Sequence, residues 1–311
     1  MLVILLLCVF AGCKGDRKEG AAAQTAAAPP APSTGFSGQA AYDYAKTQFD
    51  FGPRVPGSVA ARKAGDWIIS QMRARADTVI VQSFTYTTAS GKKLPLRNIL
   101  ARFRPELTDR VLYLTHWDSR PVAESAASEA ERKMPTPGAN DGASGVGMFI
   151  ALGDVLRKTK PIVGVDLLFT DGEDYGDFGP PEVDVLIGAK YFANHLPSPG
   201  YKPIFGVLWD MIGDKDLRIP YEMNSFQQVP DVVSRVWQTA ADLGYGNVFV
   251  QESGGLITDD HIPLLNAGLR VIDVIDLTYP PHHTPQDTMD KISAQSLGIV
   301  GDVATALVTR K

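Results

Sequence analysis

The chain has 311 residues, a net charge of −5 and 44% hydrophobic residues, enough for one large α/β domain or two small ones. Lys and Arg are scattered, with no run longer than a pair such as Lys92-Lys93, which excludes the basic face that nucleic acid requires and a membrane-surface patch. The two cysteines, Cys8 and Cys13, leave the body without a disulfide, a thiolate nucleophile or a cysteine metal site, so any metal must be held by His, Asp and Glu.

The chain opens with MLVILLLCVF, an apolar run too short to span a bilayer and matching the core of a signal peptide. Phe10-Ala11-Gly12-Cys13 resembles a bacterial lipobox, in which the cysteine is acylated. The expected division is a signal peptide over 1–12, a lipidated Cys13 heading a flexible Ala/Pro-rich linker over 13–35, and one catalytic α/β domain over 36–311. This predicts a bacterial envelope protein anchored at Cys13, with Lys14 after the cysteine pointing to the outer membrane, facing the periplasm.

From residue 36 the pattern alternates. A helix is predicted from Ser58, a capable N-cap, to Arg75, with Ala61, Ala64, Ile68 and Met72 on one face. Strand-like runs follow at 78–86 and 98–103. Buried strands are predicted at 111–114 (VLYL), 163–169 (VGVDLLF), 204–208 (IFGVL) and 271–275 (VIDVI), with helical patterns at 143–158, 188–195, 231–243 and 292–308. Apolar strands separated by amphipathic helices predict a single α/β domain. Its central sheet is mixed, mostly parallel and twisted, and helices cover both faces.

The buried strands run into residues that bind metals. VLYL leads to His116 and Asp118, VGVDLLF to Asp171, Glu173 and Asp174, IFGVL to Asp210, and VIDVI through Asp276 to His282 and His283. A fifth acidic loop, Gly138-Ala139-Asn140-Asp141-Gly142, opens the helix at 143. Taken singly, each has an ordinary reading: Asp141 as a helix cap, Glu173 and Asp174 as a solvated turn, Asp210 as an ion-pair partner, and the two histidines as an exposed loop. Together they fall where α/β sheets bind ligands, outside the carboxyl ends of the strands. Carboxylates so close together require a cation, and His with Asp/Glu oxygen suits zinc with one open position. Ser144 is not in a G-x-S-x-G elbow, and there is no dinucleotide fingerprint or P-loop.

These motifs resemble the glutaminyl-peptide cyclotransferases, or glutaminyl cyclases, relatives of the co-catalytic zinc aminopeptidases. The resemblance runs from Phe51-Gly-Pro-Arg-Val-Pro-Gly-Ser58 to His283-Thr-Pro-Gln-Asp-Thr-Met-Asp290. It passes through His116-Trp117-Asp118-Ser119-Arg120, Gly138–Gly145, Asp171-Gly-Glu-Asp174, Leu208–Gly213 and Asp259-Asp-His-Ile-Pro263. It implies a zinc exopeptidase-like fold, with Asp141, Asp174 and His283 binding one zinc. Glu173 would be the general acid/base, and Asp210 and Asp259 an acidic hydrogen-bond network beside it. His116, Asp118 and Asp210 match the place where aminopeptidases build a second metal site. The sequence departs from the animal members at Asp174, where they place Glu, and at His282, where they place an aromatic wall residue.

The expected reaction converts N-terminal Gln of peptides and proteins to pyroglutamate with release of ammonia. The loop around Tyr175–Pro181 and the Tyr279-Pro280-Pro281 turn are expected to shape the pocket. The competing reading is a co-catalytic aminopeptidase with two zinc ions, the second held by His116, Asp141 and Asp210. Asp259 favours the cyclase, because these aminopeptidases typically carry Ser there. A binding lipoprotein without turnover is disfavoured by the intact Glu173. The expected partners are Gln-bearing peptide N-termini, with no nucleic acid and no membrane contact except through Cys13. The chain is expected to be a monomer.

Overall fold

The computed structural model describes residues 34–310. The expected signal peptide, the lipidated Cys13 and all but the last two residues of the linker lie outside them. In chain order the elements are helices α1 (Gly38–Phe49) and α2 (Val59–Arg73), strands β1 (Thr78–Thr87), β2 (Lys93–Phe103) and β3 (Arg110–His116), helices α3 (Glu129–Arg132) and α4 (Ser144–Lys158), strand β4 (Gly164–Thr170), helix α5 (Ile187–Asn194) and strand β5 (Phe205–Asp210). There follow β6 (Ile219–Tyr221), α6 (Met223–Gln228), α7 (Pro230–Asp242), β7 (Phe249–Ser253), α8 (His261–Asn266), β8 (Val271–Ile275) and α9 (Ala294–Thr309).

Six strands form the sheet in the order β1-β2-β4-β3-β5-β8. The β4/β3, β3/β5 and β5/β8 ladders are parallel, whereas β1/β2 and β2/β4 are antiparallel. The mixed, mostly parallel sheet follows the sequence pattern. Alternate side chains of each central strand enter different cores, as a two-residue period requires. Val111, Tyr113, Val165, Leu167, Phe169, Val207 and Trp209 pack with α1, α2, α4, α7 and α9. Leu112, Leu114, Leu168 and Leu208 pack with Ala189 and Phe192 of α5 and Leu264 of α8. Both faces are covered, which is why these strands read as continuous apolar runs.

The predicted helices all form, with shifts of a residue or two at their ends. Helix α1 was not expected. Ser37 caps it by accepting from Ala40 N, but its buried face is only Ala41, Ala45 and Gln48, too small to register as hydrophobic periodicity. That smallness has a use: a Cβ at Gly147 of α4 would lie 2.3 Å from Ala41 O, and one at Gly38 2.0 Å from Ala294 O. Helix α1 therefore sits backbone-to-backbone against α4 and α9. The short α8 and the two-stranded β6/β7 pair were also unexpected. No described helix is long and apolar enough to cross a membrane.

One buried ion cluster braces the sheet. Asp166 of β4, fully buried, accepts from Arg110 at 2.6 and 2.7 Å, from Arg102 at 3.0 Å and from the Tyr201 hydroxyl at 2.8 Å.

Candidate metal centre

Because β4, β3, β5 and β8 are parallel, their carboxyl ends share one edge. The loops leaving that edge bring the sequence-predicted residues together. Asp141, Glu173, Asp174, Asp210, Asp259, His282 and His283 all line one cavity of about 630 Å³. His116 lies buried beside two of these residues, with Nε2 3.0 Å from Asp141 Oδ1 and 3.2 Å from Asp210 Oδ1. On the other side of Asp141, His283 Nε2 is 3.6 Å from Asp141 Oδ2 and 3.4 Å from Asp174 Oδ1. Asp141 thus stands between two candidate donor sets, one with Asp174 and His283, the other with His116 and Asp210.

Two carboxylates fix the acidic turns by the same device. Asp118 accepts from Glu173 N at 3.1 Å and Asp174 N at 3.2 Å. Asp287 accepts from Asn140 N at 2.8 Å and Asp141 N at 3.2 Å, and also from the Tyr279 hydroxyl at 2.6 Å. Charge-assisted bonds of this kind are the strong ones. Asp118, matched from the sequence to a second metal site, therefore has both oxygens engaged with the backbone. Asp141 is not a helix cap: the residue flanking α4 is Ala143, without a side-chain bond. Asp276 accepts from Arg218 N and Thr278 N, away from the cluster.

A ring of ion pairs holds Asp174 and His283. Arg120 Nη1 donates to Asp174 Oδ1 at 2.6 Å and its Nε to Glu124 Oε2 at 2.6 Å, while Glu124 Oε1 lies 2.7 Å from His283 Nδ1. With Nδ1 so engaged, His283 turns Nε2 toward the two aspartates. Its backbone is left-handed, φ 55°, a conformation costing a non-glycine residue about 1–3 kcal/mol and concentrated at functional sites. Arg120 and Glu124 were missed as site residues. The signal available was Arg120 at the end of the quoted His116–Arg120 motif, with Glu124 four residues on. Asp287 carried no local signal.

Electrostatics mark the cluster as short of positive charge. Burial pushes Glu173 well above the carboxylate range; His116 opposes this and Asp174, Asp259 and Asp260 add to it. Burial and the Asp210 and Asp260 charges do the same to Asp259. Burial and Asp118 and Asp210 raise Asp260 to about 7, against its bond with Thr170 and the His116 charge. Burial would favour neutral His283, but Asp174 and Glu124 outweigh it and raise the imidazole to about 10. The buried Asp174 Oδ2 and His116 Nδ1 have no hydrogen-bond partner. An unpartnered buried carboxylate oxygen and imidazole nitrogen among crowded carboxylates fit a divalent cation, and an oxygen/imidazole set without thiolate fits zinc.

His282 lines the cavity as well. Its ring lies 3.7 Å from that of His283, centroid to centroid, and it can offer a nitrogen to a set with Asp141 and His283 whose ligand atoms all lie within 4.8 Å of one another. His116, Asp141 and Asp210 form a second such set. Asp177, Phe178 and Gly179 line the cavity as expected of their loop. The Tyr279–Pro281 turn acts from behind: Tyr279 is buried against Met211 and Ile275. Ser144 is occupied as well, donating to Asn140 O and accepting from Ile212 N.

A family model described as peptidase family M28 matches residues 98–308. A probable zinc metalloprotease of Leptosphaeria maculans is 32% identical over 182 residues, which is 54% of this chain and 39% of that protein. The chain thus spans well under half the length of that curated relative. The structure of Porphyromonas gingivalis glutaminyl cyclase superimposes with a TM-score of 0.84 at 38% identity, over 88% of this chain and 98% of that one. A leucine aminopeptidase precursor from Bacteroides thetaiotaomicron gives 0.86 at 34% identity, over 89% and 98%.

Proposed function

The chain belongs to peptidase family M28, and from that premise we propose that it is a zinc-dependent glutaminyl-peptide cyclotransferase acting on N-terminal Gln of peptides and proteins. The observation that carries this reading is Asp259. Where a related hydrolase would need only one acid/base beside its metal, a further carboxyl group is buried in the cavity within the field of Glu173 and Asp210. Such a cluster can take up and return a proton without water. The likeness to the Porphyromonas gingivalis cyclase over nearly its whole length supports the same reading.

Asp141, Asp174 and His283 would hold zinc. Bound there, zinc would polarise the side-chain amide carbonyl of the substrate glutamine as a Lewis acid. Glu173 takes a proton from the substrate's α-amine as its nitrogen bonds to the amide carbon. It returns that proton to the departing nitrogen as the carbon–nitrogen bond to ammonia breaks. Asp259, itself in the field of Asp210, joins Asp174 and Asp260 in holding Glu173 in a field that favours the protonated form it needs for the second transfer. The attacking and attacked atoms belong to one residue, so ring closure supplies much of the positioning, and no activated water is required.

A second reading is carried by the His116–Asp141–Asp210 set, which would hold another ion in a di-zinc aminopeptidase using Glu173 to activate water. Mass spectrometry of a Gln-leading peptide incubated with zinc-loaded protein separates the two. Loss of one ammonia with the chain length intact is the expected result. Release of free glutamine establishes the aminopeptidase, and an unchanged peptide overturns both. Metal analysis is the companion measurement, with about one zinc per chain expected for the cyclase and about two for the peptidase. We extend the proposal to the setting read from the sequence, a lipid anchor at Cys13 in a bacterial envelope; replacement of Cys13 by Ser should release the protein from the membrane fraction.

A further inference from the structure

The Phe51–Ser58 motif plays no part in the reaction above, and it lies outside the family match, which begins at residue 98. Its Arg54 is fully buried. The guanidinium donates through Nη1 to Pro137 O and through Nη2 to Gly138 O, the latter at 2.6 Å. Its backbone carbonyl accepts from Ser119 N at 3.4 Å. Gln48, also fully buried, projects from the last turn of α1 and donates through Nε2 to Trp117 O at 2.8 Å and Gly142 O at 3.0 Å. Each of the two residues therefore touches both the loop after His116 and the loop carrying Asp141.

The Asp141 loop is shaped to receive them. Gly138 and Gly142, on either side of the Asn140-Asp141 pair, both have positive φ, and a Cβ would lie 2.6 Å from Arg54 Nη2 at the first and 3.3 Å at the second. The loop wraps directly over the guanidinium, with no room for a side chain between. Helix α1 is itself seated against α4 through Gly147, so Gln48 is delivered by a packed element.

We propose that Arg54 and Gln48 are positioning residues that fix the Asp141 loop against the His116 loop and thereby set the zinc affinity of the centre. The proposal rests on the zinc reading given above. It opposes a purely electrostatic role for Arg54, whose charge faces Asp287, Asp141 and Asp118. A cation beside metal ligands repels the metal, so deleting it as a charge alone would tighten zinc binding. Deleting a residue that orients ligands loosens binding, about 10–100-fold for partners of this kind. The sign of the change separates the two.

The experiment is a zinc titration of the full chain against a chromogenic chelator, for the wild type, Arg54→Met, Arg54→Lys and Gln48→Met, with the melting temperature of each metal-free protein measured alongside. Arg54→Met and Gln48→Met should each bind zinc about 10–100-fold more weakly. Arg54→Lys should also bind weakly, because one ammonium keeps the charge but loses the planar fork that spans two carbonyls. Unchanged or tighter binding in Arg54→Met overturns the proposal, as does wild-type affinity in Arg54→Lys. If Arg54→Met does not fold, Gln48→Met removes no charge and decides the matter: wild-type affinity with only a lowered melting temperature marks a structural role and overturns the proposal. A wild-type protein that binds no zinc overturns the zinc reading instead, and is recognised before any variant is compared.

Discussion

In the proposed reaction Glu173 has the hardest task at the level of single residues, since it would both accept and release a proton inside a buried acidic cluster. Glu173→Gln keeps the shape and the zinc but cannot shuttle the proton. Turnover should fall by about 10²–10⁴-fold with zinc content unchanged by elemental analysis; a variant retaining most of its activity would remove Glu173 from the role. A second residue-level prediction concerns acid. Glu222 is buried and accepts from Asn224 N, Ser225 N, Ser225 Oγ and Ile257 N, with His261 Nε2 3.3 Å away. Burial would raise it, but His261 and these donors bring it down to about 2. Its folded value is below its unfolded one, so its contribution to stability is complete above about pH 4.3 and is lost as pH falls toward 2. Glu222→Gln should flatten the loss of stability across that interval in urea melts at stepped pH. Glu173, Asp174 and Asp210 were legible in the sequence because each lies at the end of an apolar strand or in the turn that leaves it. Arg120, Glu124 and Asp287 were not, because what they do is set by bonds to residues distant in the chain, such as Asp287 to Asp141.

The elements repeat that contrast. Strands β3, β4, β5 and β8 were readable because burial on both faces leaves continuous apolar runs. Helix α1 was hidden because the close approach to α4 and α9 demands small residues, which removes the large apolar side chains a periodicity search depends on. The β4 strand carries its own exception in Asp166, a charge inside an apolar run, satisfied only by Arg102, Arg110 and Tyr201. Asp166→Ala leaves the buried Arg110 without its carboxylate, with only backbone carbonyls such as Leu107 O to accept from it, and should cost about 3–5 kcal/mol, read as a lower denaturant midpoint. Activity in the absence of denaturant should persist if the folded population survives, since this ion cluster includes none of the cavity-lining residues.

Across the whole molecule, the parallel centre of the sheet explains why residues from 116 to 283 meet: consecutive parallel strands deliver their following loops to one edge. A zinc ion held in the proposed centre would tie those loops together. Zinc binding only to the folded chain adds about 4 kcal/mol when its concentration is a thousandfold above Kd. Stripping it with a chelator should lower the melting temperature by several degrees and readmitting zinc should restore it, whereas an unchanged melt would mean that no metal joins the loops.

The seating of α1 on α9 also orders events during synthesis. Gly38 meets Ala294, so the first described helix and the last complete each other. Asp141, Asp174, Asp210 and His283 all leave the ribosome before α9 does, yet the helix that delivers Gln48 cannot be fully seated until α9 arrives. A nascent chain therefore holds every candidate ligand for a time without the support that would fix Asp141, and it should capture zinc firmly only after α9 has emerged.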